Sequence, residues 1–223
     1  MRSGKHQAVL FDLDGTLIDT AALIYASYRH AVRSVLGYVP TDEQIHATMG
    51  ETLYVGMQRF SVTQAAELTR TYREFNIAHH HEYVVAFPGA AATLRQLRSS
   101  GYKLGIVTSK RRDVAMLGLQ QTLLAGYFDV MVAEDDVSRH KPHPYPIWRA
   151  CKYLGVTAYD CLYVGDSAAD MTAGRAAGCT VLGVEWSKLT IDELKQAGAH
   201  DILYSLPDLL RMEESLPERA SLS

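Results

Sequence analysis

Cysteine is scarce: three residues in 223, without metal-ligand spacing, exclude a disulfide scaffold or a thiolate metal centre. Cys151, Cys161 and Cys179 stand among apolar or small residues and read as reduced structural thiols, which suits a cytoplasmic setting. No apolar run is long enough to cross a bilayer, and the first residues carry no apolar region of signal-peptide length. Basic charge is scarce too. The formal net charge is −3 and the longest basic run is Lys110-Arg111-Arg112, so neither nucleic acid nor membrane is an expected partner. No internal repeat or low-complexity segment is visible. What remains, 48% hydrophobic and 21% charged residues, describes a soluble globular protein of one large or two small domains.

The chain is organised around Ala8-Val-Leu-Phe-Asp-Leu-Asp-Gly-Thr-Leu17. Its apolar run suits a strand buried on both faces of a parallel sheet, and it runs directly into Asp12 and Asp14. Ligands of open α/β sheets sit at the carboxyl ends of such strands. Two carboxylates so close want a cation or a proton between them. The plainer reading is an Asp-rich turn before a helix, and both stand at this point.

Residues 18–84 read as all-helical. Asp19 or Thr20 caps a helix to about Leu36, Thr41 caps a short one, and a longer helix runs from Thr63 to about Tyr83. After Phe87-Pro88-Gly89 strands and helices alternate. Strands are expected at Lys103–Val107, Val130–Ala133, Cys161–Val164, Thr180–Val184 and Ile202–Tyr204, with helices between them and a last helix near 207–213 before a polar, disordered tail. The fold class is therefore α/β, a three-layer Rossmann-type core with a mostly parallel sheet. The expected division is a core of residues 1–17 and 85–223 with an inserted all-helical cap of residues 18–84.

Three further strand ends carry polar chemistry: Thr108-Ser109-Lys110, Lys141 before Pro142, and Gly165-Asp166 with Asp170 four residues on. In a parallel sheet these ends share one edge with Asp12 and Asp14. Carboxylates, hydroxyls and a lysine form the inventory that phosphoryl transfer with Mg²⁺ uses: oxygen ligands for the ion, a carboxylate nucleophile, and fixed donors for the phosphoryl oxygens.

The segments Asp12-Leu-Asp14-Gly-Thr16-Leu, Thr108, Lys141-Pro142 and Gly165-Asp166-xxx-Asp170 resemble, in order and rough spacing, the four motifs of the haloacid dehalogenase superfamily. The helical insertion resembles the small cap of its phosphoglycolate phosphatase-like branch. The stretches 75–82, 105–113 and 128–136 are similar to bacterial inorganic pyrophosphatases of that superfamily, and some are shared with phosphoglycolate phosphatases. The resemblance implies that Asp12 is the nucleophile and forms an aspartyl-phosphate. Asp14 then serves as acid and base, with its main-chain carbonyl a metal ligand. Thr108 and the amide of Ser109 hold a phosphoryl oxygen, and Lys141 neutralises charge. Asp12, Asp14 and Asp166 hold Mg²⁺, and Asp170 supports that set from behind. Asp14 as an acid favours phosphatase or phosphomutase over dehalogenase.

The expected activity is hydrolysis of a small anionic phosphorylated substrate by a monomer or small homo-oligomer. Pyrophosphate comes first, phosphoglycolate second, and a β-phosphoglucomutase-like mutase is the further alternative. A binding protein that kept the fold and lost turnover is a fourth reading, opposed by the intact motif residues. Lys110 reaches a second substrate anion or is a solvated helix-start lysine. Arg111 and Arg112 read as surface charge, His79-His80-His81 as a solvated or hinge-lining face, and Tyr25 and Tyr28 as packing. His46, Gly50-Glu51-Thr52 and Arg59 are candidate substrate contacts.

Overall fold

The computed structural model describes residues 6–215. Six short apolar runs form one parallel sheet: β1 (Ala8–Phe11), β4 (Lys103–Val107), β5 (Val130–Val132), β6 (Cys161–Gly165), β7 (Thr180–Val184) and β8 (Asp201–Leu203). Two two-residue strands, β2 (Ile18–Asp19) and β3 (Val85–Ala86), pair antiparallel outside it. The sheet order is β5-β4-β1-β6-β7-β8, so the chain leaves β1 and later builds outward on both of its sides. Such a reversal opens a crevice at the carboxyl edge.

Alternation along β1 explains the three layers. Val9 and Phe11 join one buried cluster with Leu94 and Leu97 of α5 (Ala90–Ser99), Ala115 and Leu119 of α6 (Arg112–Gln121), and Leu209 of α10 (Asp208–Ser215). Ala8 and Leu10 face the opposite cluster, with Ile147 and Leu154 of α7 (Tyr145–Leu154), Met171 of α8 (Ala168–Ala177) and Leu194 of α9 (Ile191–Ala197). Both faces of the strand are covered, as the unbroken apolar runs require.

Four helices lie between β2 and β3: α1 (Ala21–Leu36), α2 (Asp42–His46), α3 (Leu53–Gln58) and α4 (Ala65–Tyr83). They enclose their own apolar cluster around Tyr28, Val32, Ile45, Met57, Leu68 and Tyr72. Thr41 caps α2 as expected, in a reciprocal capping box with Gln44.

The expectation of an all-helical 18–84 fails at Ile18–Asp19, which pair with Ala86 and Val85. Two residues are too short for a periodicity to register, and this ladder exists only because the chain returns to its point of departure. Thr20 occupies the position before α1 but makes no capping bond there. Its hydroxyl donates instead to Asp14 at 2.7 Å. The expected polar tail lies outside the described residues beyond Ser215.

His80 also departs from a solvated reading: it is 1% exposed, against α6, whereas His81 is exposed. Gln121 of α6 donates its amide to the Val84 carbonyl at 2.8 Å, which turns its oxygen toward His80 Nδ1 at 3.0 Å. His80 is thereby a neutral Nδ1–H tautomer, and its buried Nε2 has no hydrogen-bond partner.

Candidate active site

Register brings the predicted strand ends level. Phe11 pairs with Ile106 of β4 and with Val164 of β6, so Asp12, Thr108 and Asp166 emerge within one or two residues of the same edge. The Asp12 amide donates to Val164 at 2.9 Å and the Thr108 amide to Val132 at 3.0 Å, which carries the ladder past the last paired residues. Gly15 turns the chain at φ 77° with no room for a Cβ, because the Asp166 carboxylate lies against that position. Asp12, Asp14, Thr108, Ser109, Lys110, Lys141, Asp166 and Asp170 all line one cavity of about 360 Å³.

Lys141 is the hub of the buried charge. Its ammonium donates to Asp12 Oδ1 and Asp170 Oδ1, both at 2.6 Å, and reaches the Val107 carbonyl at 3.2 Å. Burial alone would discharge it, but Asp12 and Asp170 outweigh that and hold it charged. Asp170 in turn is saturated. Its Oδ1 also accepts from Tyr163 Oη at 2.8 Å, and its Oδ2 accepts from the Ser167 amide at 3.0 Å and hydroxyl at 2.6 Å. Burial raises the Asp170 pKa, but Lys141 and these donors reverse the effect, so it stays ionised.

Asp12 and Asp166 are less well compensated. Burial, with Asp170 and Asp14 nearby, pushes Asp12 up to about 7 despite Lys141. Burial followed by repulsion from Asp12 and Asp170 raises Asp166 well above the carboxylate range, and Thr16 Oγ1 reaches it only at 3.4 Å. One oxygen from each of Asp12, Asp166 and Asp170 falls within 4.8 Å of the others. An all-oxygen set with excess buried negative charge fits a hard divalent cation. Asp166 and Asp12 have the capacity to ligate it, whereas both oxygens of Asp170 are already engaged by Lys141, Tyr163 and Ser167. The Asp14 side chain is held by Thr20 and by Lys110 Nζ at 2.6 Å, so the ligand role that the resemblance implies falls to its main-chain carbonyl and not to its carboxylate.

The remaining predicted residues are placed unevenly. Thr108 Oγ1 accepts from the Lys110 amide at 3.1 Å, so its own proton is available to an anion in the cavity. Ser109 spends its hydroxyl on the Gly50 carbonyl at 3.2 Å; the role expected of it was for its amide. Lys110 lies in the cavity wall and is not a solvated lysine. Arg112 pairs with Asp136 and is exposed, as a surface charge is; Arg111 pairs with Asp113 but also lines the cavity. His46, Gly50 and Glu51 line the cavity. Arg59 spends its guanidinium on Glu51, at 2.8 and 2.5 Å. Tyr28 packs in the helical cluster as expected, and both Tyr25 and Tyr28 also border the cavity.

Sequence reasoning missed Arg73 and Glu134, which meet at 3.8 Å between α4 and the turn after β5. It also missed Thr20 as a partner of Asp14. Nothing local marks these residues, since an arginine in a helix is ordinary surface composition.

A family model described as haloacid dehalogenase-like hydrolase matches residues 9–184. The chain belongs to the haloacid dehalogenase-like hydrolase family. It is 37% identical over 212 residues to the pyrophosphatase PpaX of Bacillus velezensis, covering 95% of this chain and 98% of that one. The crystal structure of a hydrolase from Pseudomonas syringae superposes with a TM-score of 0.84 at 28% identity, covering 94% and 99% of the two chains. A protein from Haemophilus somnus described as a predicted phosphoglycolate phosphatase superposes at 0.80 with 25% identity, covering 93% and 97%. This chain is accordingly an enzyme, a phosphatase of the haloacid dehalogenase-like family with the α/β fold of its relatives.

Proposed function

We propose that this enzyme is a Mg²⁺-dependent phosphohydrolase that cleaves pyrophosphate through an aspartyl-phosphate on Asp12. The observation that carries the reading is the fixing of Asp12 by Lys141 at a strand end inside the cavity, with Thr108 and Asp14 beside it. The naming of a full-length relative as a pyrophosphatase supports the choice of substrate.

In this mechanism Lys141 holds Asp12 Oδ1, and the other carboxylate oxygen attacks phosphorus in line with the leaving group. Asp12, Asp166 and the Asp14 carbonyl would hold a Mg²⁺, which would supply Lewis-acid neutralisation of charge on the phosphoryl oxygens. The Thr108 hydroxyl and the Ser109 amide donate to those oxygens, and Lys141 offsets their growing charge on the Asp12 side. Asp14 protonates the departing oxygen, then takes a proton from the water that attacks the acyl-phosphate, so Asp12 is regenerated and phosphate is released. Residues 18–84 act as a cap over the cavity, hinged at β2 and β3, and exclude bulk water during the reaction.

Phosphoglycolate is the second substrate reading. A cavity of about 360 Å³ admits a small organic phosphate as well as pyrophosphate.

Phosphate release from pyrophosphate, phosphoglycolate and β-glucose 1-phosphate tests the proposal. Pyrophosphate should be preferred, chelation should stop release and Mg²⁺ should restore it. Asp12→Asn should lose at least about 10³-fold in kcat while keeping its unfolding midpoint. A preference for another phosphate keeps the chemistry and moves the substrate; an active Asp12→Asn refutes the covalent route. Asp14→Asn separates leaving groups. Loss on an alkyl phosphate should fall in the range of about 10²–10⁴-fold, and loss on pyrophosphate should be smaller, because phosphate departs with less help from an acid. Equal losses would remove Asp14 from leaving-group protonation.

A further inference from the structure

The cavity carries two cations that the chemistry above leaves unassigned. Lys141 is committed to Asp12 and Asp170, and Arg111 pairs with Asp113. Lys188 is exposed. Lys110 lies against Asp14, the group that must face the departing oxygen, so its ammonium stands on the leaving side of the scissile bond. Arg73 enters the same cavity from α4, at 3.8 Å from Glu134 and with its side chain 31% exposed.

Glu134 is an odd residue for the wall of an anion-binding cavity. It repels phosphate, and its own burial raises its pKa. Two contacts give it a purpose. Its amide donates to the Lys110 carbonyl at 3.0 Å, which fixes it beside the Lys110 loop, and its carboxylate faces Arg73. A guanidinium matches carboxylate and phosphate equally well, and 3.8 Å is a loose hold. Glu134 therefore stands where an anion can replace it as the partner of Arg73.

We infer that Arg73 and Lys110 together bind a second anionic group on the leaving side of the substrate, and that Glu134 holds Arg73 in place until that group arrives. The inference rests on the phosphatase reading of the site but not on pyrophosphate as its substrate. It defines a class: phosphoryl compounds whose leaving group itself bears a phosphate or carboxylate. An uncharged leaving group leaves Lys110 with Asp14 and Arg73 with Glu134 and gains nothing from either cation, and selectivity follows from that difference.

Two measurements test it. The first compares kcat/KM for pyrophosphate, phosphoglycolate and methyl phosphate in the wild type, Arg73→Gln, Arg73→Lys and Lys110→Met, with unfolding midpoints as folding controls. Arg73→Gln should lower the pyrophosphate-to-methyl phosphate ratio about tenfold, mainly through KM, with partial recovery in Arg73→Lys. Equal losses on charged and uncharged leaving groups would overturn the inference, as would a wild-type preference for methyl phosphate. The second needs no turnover: calorimetric binding of methylenediphosphonate and methylphosphonate, with Mg²⁺ present, to Asp12→Asn with and without Arg73→Gln. Arg73→Gln should weaken the diphosphonate selectively. Glu134→Gln, which frees Arg73, should tighten it. No change in either variant overturns the inference even if pyrophosphate proves to be the substrate. A wild type that prefers phosphoglycolate refutes pyrophosphate while supporting the pair.

Discussion

At the sheet edge Lys141 reaches Asp12 and Asp170 at 2.6 Å each with 3% of its side chain exposed, whereas from the helical segment Arg73 reaches Glu134 only at 3.8 Å with 31% exposed. Ser109 reaches the Gly50 carbonyl across these walls at 3.2 Å. The first wall is a closed network in which Asp170, Tyr163, Ser167 and Lys141 satisfy one another. The second is held by few contacts that solvent or a ligand can replace. Groups that stabilise a transition state gain most from being fixed beforehand in a dry site. Groups that recognise a substrate need only exchange one partner for another, and the looser wall suits that task.

The largest effect should come from breaking the tight wall. Lys141→Met leaves Asp12 and Asp170 as buried charges without their cation, and should cost about 3 kcal/mol of stability in urea unfolding, with activity lost about 10²–10³-fold. An unchanged unfolding midpoint would mean that the network is not what holds this edge. The comparison predicts less from the loose wall. Gly50 has φ 83°, and a Cβ there would meet Ser167 and Ala169 at 3.1–3.3 Å. Gly50→Ala should cost about 1 kcal/mol through backbone strain and raise KM by roughly threefold, with kcat less affected. A larger fall in kcat than rise in KM would place Gly50 with the chemistry.

The smallest effect is a pH dependence at His80. Burial, with Lys110 and His81 adding to it against Gln121 and Asp14, lowers the His80 pKa below its ordinary 6.5. The folded state then binds fewer protons than the unfolded state in that range. Its contribution to stability is complete above the unfolded pKa and is lost as pH falls toward the folded one. His80→Gln should flatten the decline in stability between pH 7 and pH 5. An identical slope in the variant would show that His80 does not titrate with unfolding.

Much of the core could be read in the chain. The four-to-five-residue apolar runs at 8, 103 and 161 each end in the polar residues that later meet in the cavity, and Gly37, Gly155 and Gly178 end helices where a left-handed residue is needed. The β2–β3 ladder, the diversion of Thr20 to Asp14 and the Gln121 clasp on His80 were not legible. Each joins short segments through contacts that no local period records. His80 illustrates the limit well: three histidines in a row look like solvated charge, and only the approach of α6 decides that the middle one is buried.

By itself the sequence determined the parallel α/β core and the placing of Asp12, Thr108 and Asp166 at strand ends, because period and chain order are local properties that fix the edge at which each strand stops. Tertiary structure alone decided that Lys141, 129 residues from Asp12, would serve two carboxylates at once, that Asp170 would be used up in positioning it, and that Arg73 would face the cavity. Burial sets the strength of a charge interaction, and burial exists only once distant segments have packed.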